Sequence, residues 1–375
     1  MALAGFKKHA ALPSLNHNEQ ARQAFVRQFR GHLSAQVMPG NYLAYQKRAA
    51  PRFLAAKGRP PRDHREVRQV MEQDGYYQFW SALQRRSQEL MWEAVIDPVE
   101  RQHDALNARQ NRKHRRGSLR LNPDLLLPRY QTVVDIHLQP GGYHSEFAAG
   151  DCAAGAFYDQ ALYIYSNGAT GDRNDAMGEL LLQFYREYFP SGRPSRLLEM
   201  GCGIGNSLLP WAGAFPRCET HGIDIGAPVL RYGHARAAAL GASVHFTQQN
   251  AERTDFATGS FDLVVSHLLL HETSRSAMPR IMAECHRLLL PGGVMLHLEI
   301  PRGDTPIERF FYNWEAFNNN ETFAQFLTGV DLAPLAVAAG FDSARTRVVR
   351  YARPRNSDQH LYGETFFWNV LVATR

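Results

Sequence analysis

Leu197-Leu198-Glu199-Met200 reads as a buried strand that runs directly into Gly201-Cys202-Gly203-Ile204-Gly205-Asn206-Ser207, and an apolar helix begins at Leu208. A chain that leaves a strand and enters a helix through three closely spaced glycines has few folds open to it. Glycine accepts positive φ and lets a ligand approach where a Cβ would stand, and open α/β sheets bind ligands at the carboxyl ends of their strands. The spacing is G-x-G-x-G, which lacks the G-x-G-x-x-G phase that aims a pyrophosphate at a helix N-terminus. Glycines also serve packing alone in such turns, so the loop is weighed together with the ends of the next two strands.

Further along, His221-Gly222-Ile223-Asp224-Ile225 ends a second strand on a carboxylate. Asp224 suits the paired hydroxyls of a ribose, or alternatively the N-cap of the next helix. Thr247-Gln248-Gln249-Asn250-Ala251-Glu252 closes a third strand, where Asn250 could accept from an adenine amino group and Ala251 offers its backbone. After residue 150 short apolar runs alternate with helical stretches, which predicts a parallel sheet covered by helices. The candidate strands are Arg196 to Met200, Glu219 to Ile223, Ser243 to Thr247, Phe261 to Ser266, Val294 to Glu299, Thr346 to Tyr351 and Phe366 to Thr374.

At this point the chain resembles the class I S-adenosylmethionine-dependent methyltransferases, in particular those acting on small molecules. The likeness spans about residues 155 to 375 and rests on motifs in a fixed order. They are Glu199-x-Gly201-x-Gly203-x-Gly205, Asp224, the strand Gly259-Ser260-Phe261-Asp262-Leu263-Val264-Val265, the turn Leu288-Leu289-Leu290-Pro291-Gly292-Gly293-Val294, and Ala338-Ala339-Gly340-Phe341. Asn250 departs from the pattern, since many relatives carry Asp there. The resemblance implies a Rossmann-like α/β fold with a seven-stranded, mostly parallel sheet whose seventh strand is antiparallel. It implies S-adenosyl-L-methionine as cofactor and S-adenosyl-L-homocysteine as product. Glu199, Gly201, Cys202, Gly203 and Gly205 would meet the methionine and ribose, Asp224 the ribose, Ile225 the adenine face, Asn250 and Ala251 its edge, and His267 the methionine part. Tyr158 and Tyr165 would belong to a segment closing over the cofactor.

Methyl transfer from a sulfonium is an in-line displacement that needs alignment and, for a protonated nucleophile, a base. Ser266-His267-Leu268-Leu269-Leu270-His271-Glu272 sets two histidines four apart, on one face if the segment turns helical. His271 is the candidate base and Glu272 a second candidate, against a plain helix-start histidine bonded to backbone. No H-E-x-x-H and no third ligand accompany them, so no metal is expected. Glu308 to Phe317 is densely aromatic, and Phe311, Tyr312 and Trp314 are candidate walls for an aromatic or apolar acceptor, or else members of a core-packing helix.

For 375 residues the length suits one large catalytic unit and an accessory segment. Charge marks the boundary: residues 1 to 130 hold 23 basic and 11 acidic side chains, net +12, and the remainder is net −6. Asn18 to Arg30 and Tyr76 to Ile96 have helical periodicity, Lys57 to Arg62 is a break, and Asp63 could cap the next helix. Thr132 to Leu138 alternates like a short strand. The expected division is a mainly helical accessory, lid or dimerisation region at 1–130, a connector at 131–154 and the catalytic domain at 155–375. Arg109 to Gly117 is read as an exposed basic loop; nucleic-acid binding and docking on the acidic part of this or a second copy are the alternatives. Neither an Asp/Asn-Pro-Pro-Tyr/Phe motif nor a Pro-Cys nucleophile supports a nucleic-acid enzyme. Cys152, Cys202, Cys218 and Cys285 form no C-x-x-C, and apolar runs stop short of membrane-spanning length, so a reduced, cytoplasmic protein with no membrane partner is expected. A cofactor-binding protein with a non-methylating role stands as a third reading.

Overall fold

The computed structural model describes residues 6–110, 116–301, 303–327, 329–352 and 367–375. Among them, eight strands form one sheet in the order β1-β4-β3-β2-β5-β6-β8-β7. They are β1 (Ser118–Arg120), β2 (Arg196–Met200), β3 (Glu219–Asp224), β4 (His245–Gln248), β5 (Phe261–His267), β6 (Leu289–Glu299), β7 (Arg347–Ala352) and β8 (Phe367–Thr374). The first six in that order run parallel, and β8 is antiparallel to both β6 and β7. All seven expected strands are present, with ends shifted by a few residues; Phe366 lies outside the described residues. Burial explains the legibility of the centre: Leu197, Leu198, Leu263, Val264 and Val265 are fully covered by helices on both faces.

Three features differ from the sequence-based expectation. The eighth strand is β1, a three-residue edge held to β4 in register Ser118 with His245, too short to carry a periodic signal. Thr132 to Leu138 is not a strand: Arg129–Thr132 is a helical turn, and Ile136–Leu138 is a 3-10 turn in which His137 and Leu138 sit at φ 56° and 59°. That left-handed pair cannot continue a pleat, and the alternation serves instead to bury Ile136. In the basic run, Arg109 ends the helix His103–Gln110, Arg116 reaches the Gly241 carbonyl, and residues 111–115 lie outside the described residues.

The N-terminal region is helical where its periodicity and caps predict. Asn16 and Glu19 form a capping box on the helix His17–His32, Asp63 accepts from the amides of Arg65 and Glu66, and Asp74 starts the helix Gly75–Glu100. Several of its basic side chains pair inside the region, as in Arg48 with Asp74, Arg59 with Glu66 and Arg101 with Glu19. Across to the rest of the chain Arg120 pairs with Asp255 and Arg85 donates to the Asn318 carbonyl, and apolar packing adds to them. Phe53, Val67, Met71, Tyr77 and Trp80 share a core with Phe310, Phe311 and Trp314 of the helix Pro306–Asn318. On the far side, His9, Asn174, Tyr232 and Arg236 converge on the buried Asp159 of the helix Ala153–Tyr165. Among the described residues no helix is long and apolar enough to cross a membrane.

Two sheet histidines make stability sensitive to acid. Burial pushes His221 of β3 down to about 4, helped by His245 and Arg196, and His297 of β6 down to about 3. Both imidazoles are therefore depressed below the unfolded value of about 6.5. Their contribution is complete above that value and is lost as pH falls toward 4 and 3, at up to about 1.4 kcal/mol per pH unit for each. Thermal unfolding followed from pH 7.5 to 4.5 should show a falling Tm, and His297→Gln should flatten the slope; an unchanged slope would remove His297 from this account.

Candidate active site

The loop after β2 is built by hydrogen bonds that run across the sheet. The Cys202 amide donates to the Ile223 carbonyl (2.9 Å), and the Gly205 amide to the Cys202 carbonyl (2.7 Å). Gly201, Gly203 and Gly205 have φ of 69°, 50° and 68°. A Cβ on Gly205 would stand 2.6 Å from the Phe246 ring, whereas one on Gly203 would meet nothing within 4 Å, since that face opens on the cavity. Asp224 at the end of β3 accepts from the amides of Gly203 and Gly226, each at 2.9 Å. It clamps the loop, and it is not the N-cap considered for it: Gly226 holds that position at the helix Ala227–Ala239, with no side-chain cap bond. Burial raises the Asp224 pKa, and the amides of Gly226, Gly203 and Ile225 oppose the rise.

Glu199 and His267 face each other across neighbouring strands, Nδ1 to Oε1 at 2.6 Å. Their remaining atoms, Glu199 Oε2 and His267 Nε2, are buried and have no hydrogen-bond partner. A buried acceptor left unpaired costs about 1–3 kcal/mol, so these atoms are poised for a ligand. Glu199 is raised by burial and pulled back by the His267 charge and hydrogen bond.

One cavity of about 1420 Å³ joins this loop to the rest of the site. Glu199, Gly201, Cys202, Gly203, Asp224, Ile225, Asn250, Ala251 and His267 line it, as do Tyr158, Tyr165, His271, Glu272, Phe311, Tyr312 and Trp314. Among the predicted positions Gly205 is the exception: it shapes the loop from below, against Phe246. Tyr165 lines the opposite end, its hydroxyl donating to Glu315 (2.6 Å) while Arg30 lies over its ring at 4.6 Å. Phe311 and Trp314 pack in the core, with the Trp314 ring 4.0 Å from Trp80 and tilted by 42°, and both also line the cavity. Asn250 spends its side-chain oxygen on the Glu252 amide (2.9 Å).

His267 and His271 are not on one helical face. Leu268 takes a left-handed φ of 60°, and His271 lies in the 3-10 turn Leu270–Glu272 with its Nδ1 2.8 Å from Glu299 Oε2. Burial opposes charging of His271, yet Glu299, Glu272 and Glu321 lift its pKa to about 10. Such an imidazole holds its proton at neutral pH. Glu272 is partly covered, and the His137 hydrogen bond and the charges of His137 and His271 outweigh its desolvation and keep it below the usual carboxylate range. Glu272 Oε2 is buried and without a partner.

Sequence reasoning missed His137, Glu321, Gln249 and the contribution of the helix Gly75–Glu100. His137 Nε2 lies 3.1 Å from Glu272 and 3.3 Å from Glu321. Its strained backbone is fixed by Gln88 and Trp92, which both donate to its carbonyl at 2.8 Å, and by its own amide, which donates to the Asn319 carbonyl at 2.6 Å. Such a left-handed pair persists only where its surroundings over-determine it. No local pattern announces residues that meet across 135 and 184 positions. Gln249 follows β4 beside Asn250, a place the motif order did mark, and its Nε2 is buried and unpartnered.

A sheet of this topology with a glycine loop, an acidic β3 end and an open cavity above them defines an open α/β protein with a cavity at the carboxyl ends of its strands. Residues 197–293 match the family described as "Methyltransferase domain". Similar proteins include demethylmenaquinone methyltransferase of Thermus thermophilus, 30% identical over 108 residues covering 29% of this chain and 48% of that protein. Malonyl-[acyl-carrier protein] O-methyltransferase of Methylococcus capsulatus is 28% identical over 181 residues, 48% of this chain and 63% of that protein. The Drosophila melanogaster tRNA N(3)-methylcytidine methyltransferase Mettl2 is 24% identical over 180 residues, 42% and 52%. The chain thus spans about half to just under two thirds of the length of these relatives.

Proposed function

We propose that this chain transfers a methyl group from S-adenosylmethionine to a small-molecule acceptor held between the glycine loop and the aromatic wall of the helix Pro306–Asn318. The supporting observation is the continuity of the cavity. Trp80, Gln84, Gln88, Met91 and Trp92 of the helix Gly75–Glu100 line the same space as Gly201 and Gly203. Its volume of about 1420 Å³ exceeds the roughly 300–1,000 Å³ of an ordinary ligand pocket, which leaves room for donor and acceptor together. In this reading residues 1–130 cap the acceptor, 131–154 connect, and 155–375 bind the donor.

When bound, S-adenosylmethionine supplies an electrophilic methyl group. Glu199 Oε2 accepts from its ammonium, Asp224 with Ile225, Asn250 and Ala251 holds the nucleoside, and Gly203 gives it room. Tyr158 and His267 border the methionine part, while Tyr165 belongs with Phe311, Tyr312 and Trp314 on the acceptor side. Glu272 rather than the protonated His271 takes the acceptor's proton, and His137 holds that carboxylate in place. Closure by the N-terminal helices keeps water from the donor.

Purified protein incubated with S-adenosylmethionine and metabolite fractions should release S-adenosylhomocysteine. Glu272→Gln should lower kcat by about 10²–10⁴-fold while the dissociation constant of the donor stays within about threefold. Full activity in that variant would remove the base. Turnover on RNA, with salt-sensitive binding lost when residues 1–130 are deleted, would redirect the assignment to a nucleic-acid acceptor.

A further inference from the structure

Beyond methyl transfer, we infer that His137, His271, Glu272 and Glu321 form a binding site for one divalent transition-metal ion on the acceptor side of the cavity. Three of the four, His137, Glu272 and Glu321, come from distant stretches of chain and bring their donor atoms within 4.8 Å of one another, and His271 stands beside them. His137 Nε2 is 3.1 Å from Glu272 Oε1 and 3.3 Å from Glu321 Oε1, and His271 Nε2 is 3.7 Å from the same Glu272 oxygen. Two donors that each lie about 2.1 Å from a common ion are separated by roughly 3.0–3.4 Å, depending on whether the geometry is octahedral or tetrahedral. His137 stands at that spacing from both carboxylates, His271 joins them when the ion displaces its Nε2 proton, and all four line the cavity.

Two independent observations point to a ligand there. Asn319 is 1% exposed, its amide nitrogen lies 3.1 Å from Glu321 Oε1, and its Oδ1 is buried without a partner; Glu272 Oε2 is orphaned in the same way. His271, in turn, has its outer nitrogen occupied. Nδ1 bonds to Glu299 Oε2 at 2.8 Å, and Glu299, fully buried, is oriented by accepting from the Leu270 amide at 2.6 Å. A buried carboxylate behind a histidine whose other nitrogen faces a cluster of donors is the outer-shell arrangement that fixes ring orientation in metal sites. Mixed imidazole and carboxylate donors suit Mn²⁺, Fe²⁺, Co²⁺ or Zn²⁺ better than Mg²⁺ or Ca²⁺, which take oxygen. The ion would supply a Lewis acid for an acceptor oxygen or nitrogen.

The full-length chain, stripped with chelator and titrated with Mn²⁺ or Co²⁺ by calorimetry, should bind one ion per chain, and Co²⁺ should show visible absorption from nitrogen and oxygen donors. Glu321→Gln should weaken binding at least about tenfold. His137→Asn, which keeps a residue tolerant of left-handed φ, should do the same while circular dichroism stays unchanged. Absence of binding by the wild-type chain at millimolar ion, or equal binding by both variants, would overturn the site. Neither outcome touches the methyl-transfer reading, which is tested by donor binding in chelator.

Discussion

Replacing Asp224 with alanine should reduce the affinity for S-adenosylmethionine and S-adenosylhomocysteine by about 100-fold or more. The carboxylate does two things that alanine cannot. It accepts the amides of Gly203 and Gly226, so that its loss leaves two donors in a buried place unpaired and frees the loop after β2. In the proposed donor site it also offers the ribose charge-assisted hydrogen bonds, each worth about 1.5–3 kcal/mol, and two such interactions lost correspond to at least two decades of binding. Asp224→Asn keeps one acceptor and the same shape, and should lose less. Calorimetry with S-adenosylhomocysteine on the two variants is the measurement. Affinity within threefold of wild type for Asp224→Ala would take Asp224 out of the donor site, and no binding by the wild-type chain would remove the donor itself.

The second large effect is expected at Gly205, and it should appear as lost stability before lost binding. Its φ of 68° costs a side chain about 1–2 kcal/mol, and the new Cβ would press to 2.6 Å on Phe246, a ring with no exposure and nowhere to move. Overpacking of that kind adds about 1–3 kcal/mol. Gly205→Ala should therefore lower stability by about 2–5 kcal/mol in denaturant unfolding. Phe246→Leu in the same chain should return part of the clash but none of the backbone strain, so the double variant should be more stable than the sum of the single losses predicts. Strict additivity would show that the ring contact is not the cause.

Sequence patterns carried the glycine-loop side of the cavity well because each of its parts is local. A strand, a glycine turn and a helix lie within some fifteen residues around Gly201, and the ends of β3 and β4 repeat the same grammar of apolar run followed by polar contact. Burial of β2 and β5 on both faces leaves near-continuous apolar runs that are hard to mistake. The acceptor half had no such advantage. His137 owes its position to Gln88 and Trp92, which come from a helix some fifty residues earlier, and to Asn319 far downstream. Glu321 follows the aromatic helix without periodicity of its own. The four-residue spacing of His267 and His271 suggested a shared face, but one left-handed residue, Leu268, sends them to different carboxylates. Single positive-φ positions of non-glycine residues are invisible to pattern reasoning, and here they decide which side chains meet.

The sheet order has a consequence for how this chain is made. Because β8 is inserted between β6 and β7, the strand Arg347–Ala352 has no neighbour until residues 367–374 emerge from the ribosome, and until then β6 presents Val294, Leu296 and Leu298 along an uncovered border. A polypeptide halted before that insertion offers a long, apolar template for pairing with other nascent copies. Interrupted synthesis of this protein should therefore yield aggregates, whereas chains that reach β8 seal the border themselves.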